Sequence, residues 1–515
     1  MHIAIRRGRP MTPGKTMTQP EEKTLPLLHD AVVPIEMMLA TVAKTLCSAV
    51  FVSGRTPEEA IGHSCLWSLK AQLLPEVLQK HARWQVDRER TRVDVSIELD
   101  PATVDDLIAG HRAAHPGFEA DWAAEGRRLA ALRSVTRSAV FTGGQGSIIL
   151  PRDGELRLHF EPREVRRGPA SSAGWPGGEA AATDPAVQAT RSAIAKTLDA
   201  AFADPDAYHA AVLVVHRGQI VGERYRAGVG PDSPLESWSM GKSTMGTLIG
   251  MLIGQGHLQL DARAPIAAWD TAGDPRREIT LRHLLNMASG LRCTGQDDTR
   301  DTWRYGLPEH FLPYAESLDV AEWATERPPE FAPATVGRYR NCDPLSLAKI
   351  FRDTVLRLGA DPLSWPQTEL FDRIGMQGFV LETDRWGHFI ISGFDYGTAR
   401  DWARLGLLYL RDGVWDGQRV LPEGWVGFAT APAPGWQNRE YGAQIWLNSM
   451  KEIALPADTY YFAGGGGQYV FVVPSLDLVI VRMGHTRGWE QAKDKVNEML
   501  QGVTAALAHD DRSAS

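Results

Sequence analysis

Cysteine is scarce in this 515-residue chain: four thiols stand at positions 47, 65, 293 and 342, with no C-x-x-C pair among them. That spacing excludes a disulfide scaffold and a zinc knuckle, and isolated thiols suit a reducing compartment. Long hydrophobic runs are missing too. The best apolar stretch, Ala31 to Val52, is broken by Glu36 and Lys44; it makes a poor span and a poor signal core, and reads better as an amphipathic helix. The basic start MHIAIRRGRPMTPGKT leads into no apolar run, and Met11 and Met17 are alternative starts, so residues 1–30 read as a tail and a cytoplasmic location is expected. An excess of positive charge is also absent: 55 Lys and Arg against 63 Asp and Glu leave a net charge of −8. This argues against a nucleic-acid binder and gives no strong field to steer a partner. No repeat of fixed period is visible.

What is present is a globular composition, 43% hydrophobic with 23% charged residues, which excludes a disordered chain. The 16 Trp are the one excess. Gly168 to Asp184 (GPASSAGWPGGEAAATD) cannot build a core, so residues 166–186 read as a linker. Before it, residues 31–165 form an accessory region. Thr91–Leu99 alternates like a half-buried strand, Pro101–Val135 reads as helix, and Ala139–Leu150 as a hairpin around Gly143-Gly144. After it, residues 187–508 read as one large unit, with 509–515 as a tail. A helix over Val187–Phe202 precedes a hairpin, Ala210–Tyr225, turning at Arg217-Gly218. Tyr441–Asn448 and the pair within Tyr469–Gly484 supply closing strands, and a last helix runs over Trp489–Ala508. The stretch 240–430 reads as mostly helical. The expectation is an α+β fold of α/β sandwich type: one antiparallel sheet assembled from both ends, with a helical subdomain inserted.

The chemistry concentrates in SWSMGKSTMGTLIGMLIGQG, residues 237–256. Ser239 and Lys242 stand three apart, on one face of a helix. A serine hydroxyl needs a base within hydrogen-bond reach, and a lysine serves only when burial keeps it neutral. The apolar run Met245–Ile253 supplies that burial, and the Ser239 N–H at a helix start is free to face an oxyanion. A lone S-x-x-K arises about once by chance in a chain this long, and a second copy, Ser346 to Lys349, is present. Gly246, Gly250 and Gly254 give the first copy a small-residue face for close packing. Two further elements follow: Tyr339-Arg340-Asn341 after a Pro-rich approach, and Phe462-Ala-Gly-Gly-Gly-Gly-Gln468 leading into a strand, where glycines let backbone approach a ligand closely.

Ser-x-x-Lys, then Tyr-x-Asn, then a Gly-rich strand start, in this order, resembles the serine β-lactamase and penicillin-binding-protein superfamily. The flanks ITLRHLLNMASGL (279–291) and TARDWARLGLLYLRDGVWDGQRVLP (398–422) are similar to its class C and esterase-like branch, and SWSMGKS to 6-aminohexanoate-oligomer hydrolase-like proteins. The resemblance implies that Ser239 forms an acyl-enzyme, that Lys242 takes its proton, and that Tyr339 passes the proton to the leaving group. It implies that Asn341 holds Lys242 or the substrate, and that the oxyanion sits between the Ser239 N–H and one near Gly465 or Gly466. Trp238, beside the nucleophile, is an expected aromatic neighbour of the substrate. No metal or organic cofactor is implied. The partner implied is a small-molecule amide or ester, without nucleic acid or a clear membrane segment; a homodimer stays open. The family's third motif opens with a cation, where this chain reads Ala463-Gly464-Gly465. That disfavours a β-lactamase or DD-peptidase proper and favours a neutral amide or ester. An acyltransferase using the same acyl-enzyme, or a non-turnover sensor on the same fold, remain alternatives. The loop Thr294–Phe311, with Asp297, Asp298, Asp301, Trp303, Arg304 and Tyr305, is the expected pocket wall.

Overall fold

The computed structural model describes residues 31–66, 74–168, 175–176, 185–299, 302–303, 306–484 and 489–513. Most of the linker, and Asp301, Arg304 and Tyr305 of the expected wall, lie outside the described residues.

In the accessory region, helix α1 (Ile35–Phe51) lies against an antiparallel sheet of β1 (Arg83–Asp87), β2 (Arg92–Glu98), β3 (Ser134–Phe141) and β4 (Ser147–Ile149), in that order. The alternation of β2 sends Val93, Val95 and Ile97 into a core shared with α1. Two corrections to the sequence reading appear here. The expected helix over 101–135 is two helices, α2 (Pro101–Ala114) and α3 (Trp122–Leu132), and ends before β3 begins at Ser134: Pro116 and Gly117, the latter at φ +83, break the run. And α1 is not amphipathic. Every residue from Met37 to Val50 is buried, because one side meets the sheet and the other meets the second unit, the situation of a helix packed on all faces.

The second unit is built on a six-stranded antiparallel sheet of order β7-β8-β9-β10-β5-β6. Its strands are β5 (His209–His216), β6 (Gln219–Tyr225), β7 (Trp446–Leu447), β8 (Tyr460–Gly464), β9 (Gln468–Val473) and β10 (Leu478–Gly484). Strands from both ends of the unit therefore pair, β5 with β10, as the sequence predicts. The β5–β6 turn places Arg217 at φ +49 and Gly218 at φ +74, the left-handed pair that a two-residue hairpin needs. One face of the sheet is covered by α4 (Pro185–Ala203) and α8 (Trp489–Ser513), through Ile194, Leu198, Leu500 and Val503 against Val212, Val214 and Phe471. The other face meets the helical layer, where α5 (Gly241–Gly254) and α7 (Ala399–Leu410) bring Met245, Leu248, Leu405 and Leu408 against Val470, Val472, Val479 and Val481. The result is a helix–sheet–helix sandwich. A short sheet of Leu235–Glu236, Asp395–Gly397 and Val380–Leu381 sits inside the helical layer. The expected strand Tyr441–Asn448 shrinks to two residues because the chain folds back at Gln444, at φ +58, whose amide donates to the carbonyls of Leu284 (3.0 Å) and Leu285 (2.8 Å).

The glycine stripe on α5 is a packing device: a Cβ at Gly250 would lie 2.5 Å from the Trp425 ring. Buried polar contacts join the two units. Lys44 of α1 pairs with Glu382 at 2.8 Å, both with fully buried side chains, and Arg55 pairs with Glu236 at 3.0 Å.

Candidate active site

Strand residues Leu235–Glu236 end in a single 3-10 turn, Trp238–Met240, that runs directly into α5. The turn is entered sharply. Trp238 sits at φ +49, a left-handed conformation that costs a non-glycine residue roughly 1–2 kcal/mol. The surroundings hold it there: its indole is 3% exposed and packs on Tyr314 (5.9 Å between ring centres) and Phe394 (5.4 Å). Trp238 and Met240 are buried, while Ser239 between them stays half-exposed. The turn therefore presents one hydroxyl outward, and the Trp238 ring shapes the turn from within.

One helical turn on, Lys242 Nζ lies 2.9 Å from Ser239 Oγ and 2.9 Å from the Ser392 carbonyl oxygen. Lys242 is 1% exposed. Burial holds its pKa well below the ordinary lysine value, with the Asp395 carboxyl acting in the opposite sense. A neutral amine with a free lone pair beside a serine hydroxyl is a base in position. The Ser392 carbonyl also accepts from Ser239 Oγ at 3.3 Å and from the buried Tyr314 hydroxyl. One backbone oxygen thus gathers three of the site's donors.

Tyr339 is brought to the same place by the loop preceding α6 (Cys342–Arg357). Its ring centre lies 4.7 Å from Lys242 Nζ, so the ring face would stabilise an ammonium formed there. Burial raises the phenol pKa, while the Ser239 hydroxyl and Trp446 pull it down. On its far side Tyr339 contacts Tyr441 (5.9 Å) and Trp446 (5.1 Å). Asn341 is buried and donates from Nδ2 to the His310 carbonyl at 2.6 Å. This ties the Tyr-x-Asn segment to the loop 306–311. Trp303, in the expected wall 294–311, is buried, in edge contact with His115 of the accessory region.

The Gly-rich stretch forms the β8–β9 turn. A Cβ on Gly464 would fall 2.0 Å from the Ser237 carbonyl oxygen, so only glycine lets β8 run this close to the Ser239 turn. Gly465 to Gly467 make the turn, with Gly466 and Gly467 at φ +78 and +84. Arg482, fully buried on β10, donates from one nitrogen to the carbonyls of Gly466 (3.0 Å), Gly467 (2.8 Å) and Gly484 (2.7 Å). The pleat corrects one expectation. Phe462 and Gly464 lie on the face toward the Ser239 turn, whereas Ala463 points into the core with Tyr461 and Tyr469 on the opposite face. The residue that stands where a cation on this strand would face the site is Phe462, fully buried 5.3 Å from Tyr409.

The second S-x-x-K does not assemble. Ser346 is wholly buried, and Lys349 spends its ammonium on Asp353 at 2.7 Å. Asp319, Asp384 and His388 bring ligand-type atoms together. The carboxylates, however, are engaged by backbone N–H groups of Val320, Trp386 and His388 (to Asp384) and of Ala321 and Glu322 (to Asp319), which is the work of a loop clasp. Sequence reasoning missed Tyr314, Ser392, Asp395 and Arg482. Ser392 acts through its carbonyl, which carries no side-chain signal, and the other three lie outside any motif.

Residues 194–503 match the beta-lactamase family. The chain belongs to that family. It is 25% identical over 350 residues to the 6-aminohexanoate-dimer hydrolase of Paenarthrobacter ureafaciens, covering 58% of this chain and 78% of that one. An uncharacterized protein of Alkalihalophilus pseudofirmus is 22% identical over 313 residues, 55% of this chain and 85% of its own. A solved Bacillus anthracis protein assigned to the 6-aminohexanoate-dimer hydrolases superposes with a TM-score of 0.50 at 22% identity, over 60% of this chain and 81% of its own, a likeness of fold. The family is one of β-lactamase-fold hydrolases. No described helix is long and apolar enough to cross a membrane.

Proposed function

We infer that the protein is a serine hydrolase that cleaves an amide or ester bond through an acyl-enzyme on Ser239. The observation that carries this reading is the 2.9 Å contact between a buried Lys242 and a half-exposed Ser239. As Oγ bonds to the substrate carbonyl carbon, its proton passes to the Lys242 nitrogen. The new ammonium faces the Tyr339 ring and the Ser392 carbonyl. The proton then passes by way of Tyr339 to the departing amine or alcohol, and water releases the acyl group. The carbonyl oxygen, negative in the tetrahedral intermediate, is received by the N–H of Ser239 and one from the Gly465–Gly466 stretch, which Gly464 brings against the nucleophile turn. Asn341 fixes the Tyr-x-Asn segment through His310. Phe462, where a cation would face the site, supports a neutral substrate over one bearing a carboxylate.

A fluorophosphonate probe and a panel of p-nitrophenyl esters and anilides test the reading. Ser239→Ala is expected to abolish labelling and turnover. Lys242→Ala and Tyr339→Phe are each expected to lower kcat by about 10²-fold or more, the scale of a positioned proton-transfer group. Lys349→Ala is expected to leave it unchanged. Hydrolysis surviving in Ser239→Ala overturns the assignment.

A further inference from the structure

We propose that the sheet face turned away from α5 carries a binding site for a free primary alkylamine in its ammonium form, in a hollow at the β7 edge between β8, β9 and α8. This does not depend on the serine-hydrolase reading above. The hollow follows from the pleat. Trp446 stands across from Tyr461, and Tyr469 across from Ala463, and all four side chains share one face. Three of them are rings and the fourth is a single methyl, which leaves a gap among the rings. That gap is a cavity of about 30 Å³, whose walls also include Glu440, Glu452 and Lys493. At roughly 10–15 Å³ for one water-sized group it has room for two or so, the size of an ammonium and its first methylene.

Charge decides what fits. Glu452 is answered by Lys493 of α8 at 2.7 Å. Glu440 is not answered: its Oε2 is buried with no hydrogen-bond partner, and its carboxylate forms no ion pair among the described residues. Two carboxylates against one ammonium leave the cavity with one negative charge. A carboxylate oxygen shut off from water without a partner is costly, and a cation beside it offsets that cost. The rings act in the same direction, since the faces of Trp and Tyr attract an ammonium, more so where water is excluded. An alkylamine is charged at neutral pH, as a lysine side chain is, and its N–H groups donate to Glu440. An anion would be repelled by Glu440, and a neutral alcohol would use the rings and forgo the charge. Trp446 is also the ring that packs on Tyr339, at 5.1 Å, so the amine site backs on the candidate active site through one shared indole.

The test is calorimetric titration of the full chain with n-butylammonium, n-butanol and butyrate, which needs no knowledge of the substrate. Saturable binding of n-butylammonium is expected, with n-butanol at least tenfold weaker and butyrate not bound. Glu440→Gln keeps the shape and removes the charge. It is expected to weaken n-butylammonium about tenfold or more, the scale of a hydrogen bond to a charged group. Lys493→Met releases Glu452 and is expected to tighten binding severalfold, a change of opposite sign that a merely structural role would not give. No saturable binding of the amine, equal binding of n-butanol, or an affinity unmoved in either charge variant overturns the proposal. If Glu440→Gln fails to fold, Ala463→Val decides: its added methyls fill the cavity with every charge in place. Binding lost in that variant supports the site, and binding retained refutes it.

Discussion

The buried Lys44–Glu382 pair offers the sharpest test of how the two units depend on each other. Glu382 accepts from Lys44 Nζ (2.8 Å), Ser48 Oγ (2.7 Å) and the Ser147 N–H (2.8 Å), while Lys44 also donates to the Ser147 carbonyl. Glu382→Gln retains an acceptor for Ser48 and Ser147 but turns an amide donor toward Lys44. An ammonium with no exposed surface then has no counter-charge. Removing one partner of such a pair costs about 3–5 kcal/mol, whereas replacing both by apolar groups of similar volume is often neutral. Against a total stability of about 5–15 kcal/mol the single change is large. Urea unfolding read by tryptophan fluorescence is expected to show a loss of about 3–5 kcal/mol for Glu382→Gln, with most of it recovered in Lys44→Met/Glu382→Leu. A Glu382→Gln variant within about 1 kcal/mol of wild type would refute the reasoning, as would a double variant as unstable as the sum of the singles.

Three further outcomes are expected. Gly464→Ala drives a Cβ into the Ser237 carbonyl and should cut kcat by about 10-fold or more by displacing the nucleophile turn, a 1 Å misplacement being enough for such losses; unchanged kinetics would mean that β8 does not set the turn. Tyr314→Phe removes one of three donors from the Ser392 carbonyl and should lower kcat with little change in KM, measured on the best p-nitrophenyl ester of the panel. His388 is the third: burial alone would lower its pKa, but Asp319 and Asp384 prevail and raise it to about 9. A raised folded-state pKa stabilises fully below the unfolded value near 6.5 and is lost as pH rises through about 9. Thermal stability should therefore fall between these limits, and His388→Asn should flatten that part of the curve.

The sheet halves and the Ser239–Lys242 pair were legible in the sequence for the same reason: both are local patterns. Val93, Val95 and Ile97 announce a strand by alternation, and Ser239 with Lys242 share a helix face by spacing alone. What the sequence hid depends on distant contacts. The burial of α1 on every side needs a second unit to exist. The fold-back at Gln444 is set by carbonyls 160 residues away. The pleat that turns Ala463 from the site and Phe462 toward it is a matter of one residue in register, which side-chain period two makes decisive. The place of Asp395 has no motif either, because its carboxyl fits where Gly241, 154 positions earlier, has no side chain.

Contacts of this kind also bring the accessory region up to the candidate site. Thr41 of α1 donates to the Tyr314 carbonyl at 3.2 Å, and the Tyr314 hydroxyl bonds the Ser392 carbonyl that receives Lys242 and Ser239. Arg55 holds Glu236, three residues before the nucleophile. The left-handed Trp238 is held by the rings of Tyr314 and Phe394, and the strain it carries is offset by that packing. The accessory region bears on that packing indirectly, through the Thr41 bond to Tyr314 and the Arg55 pair with Glu236.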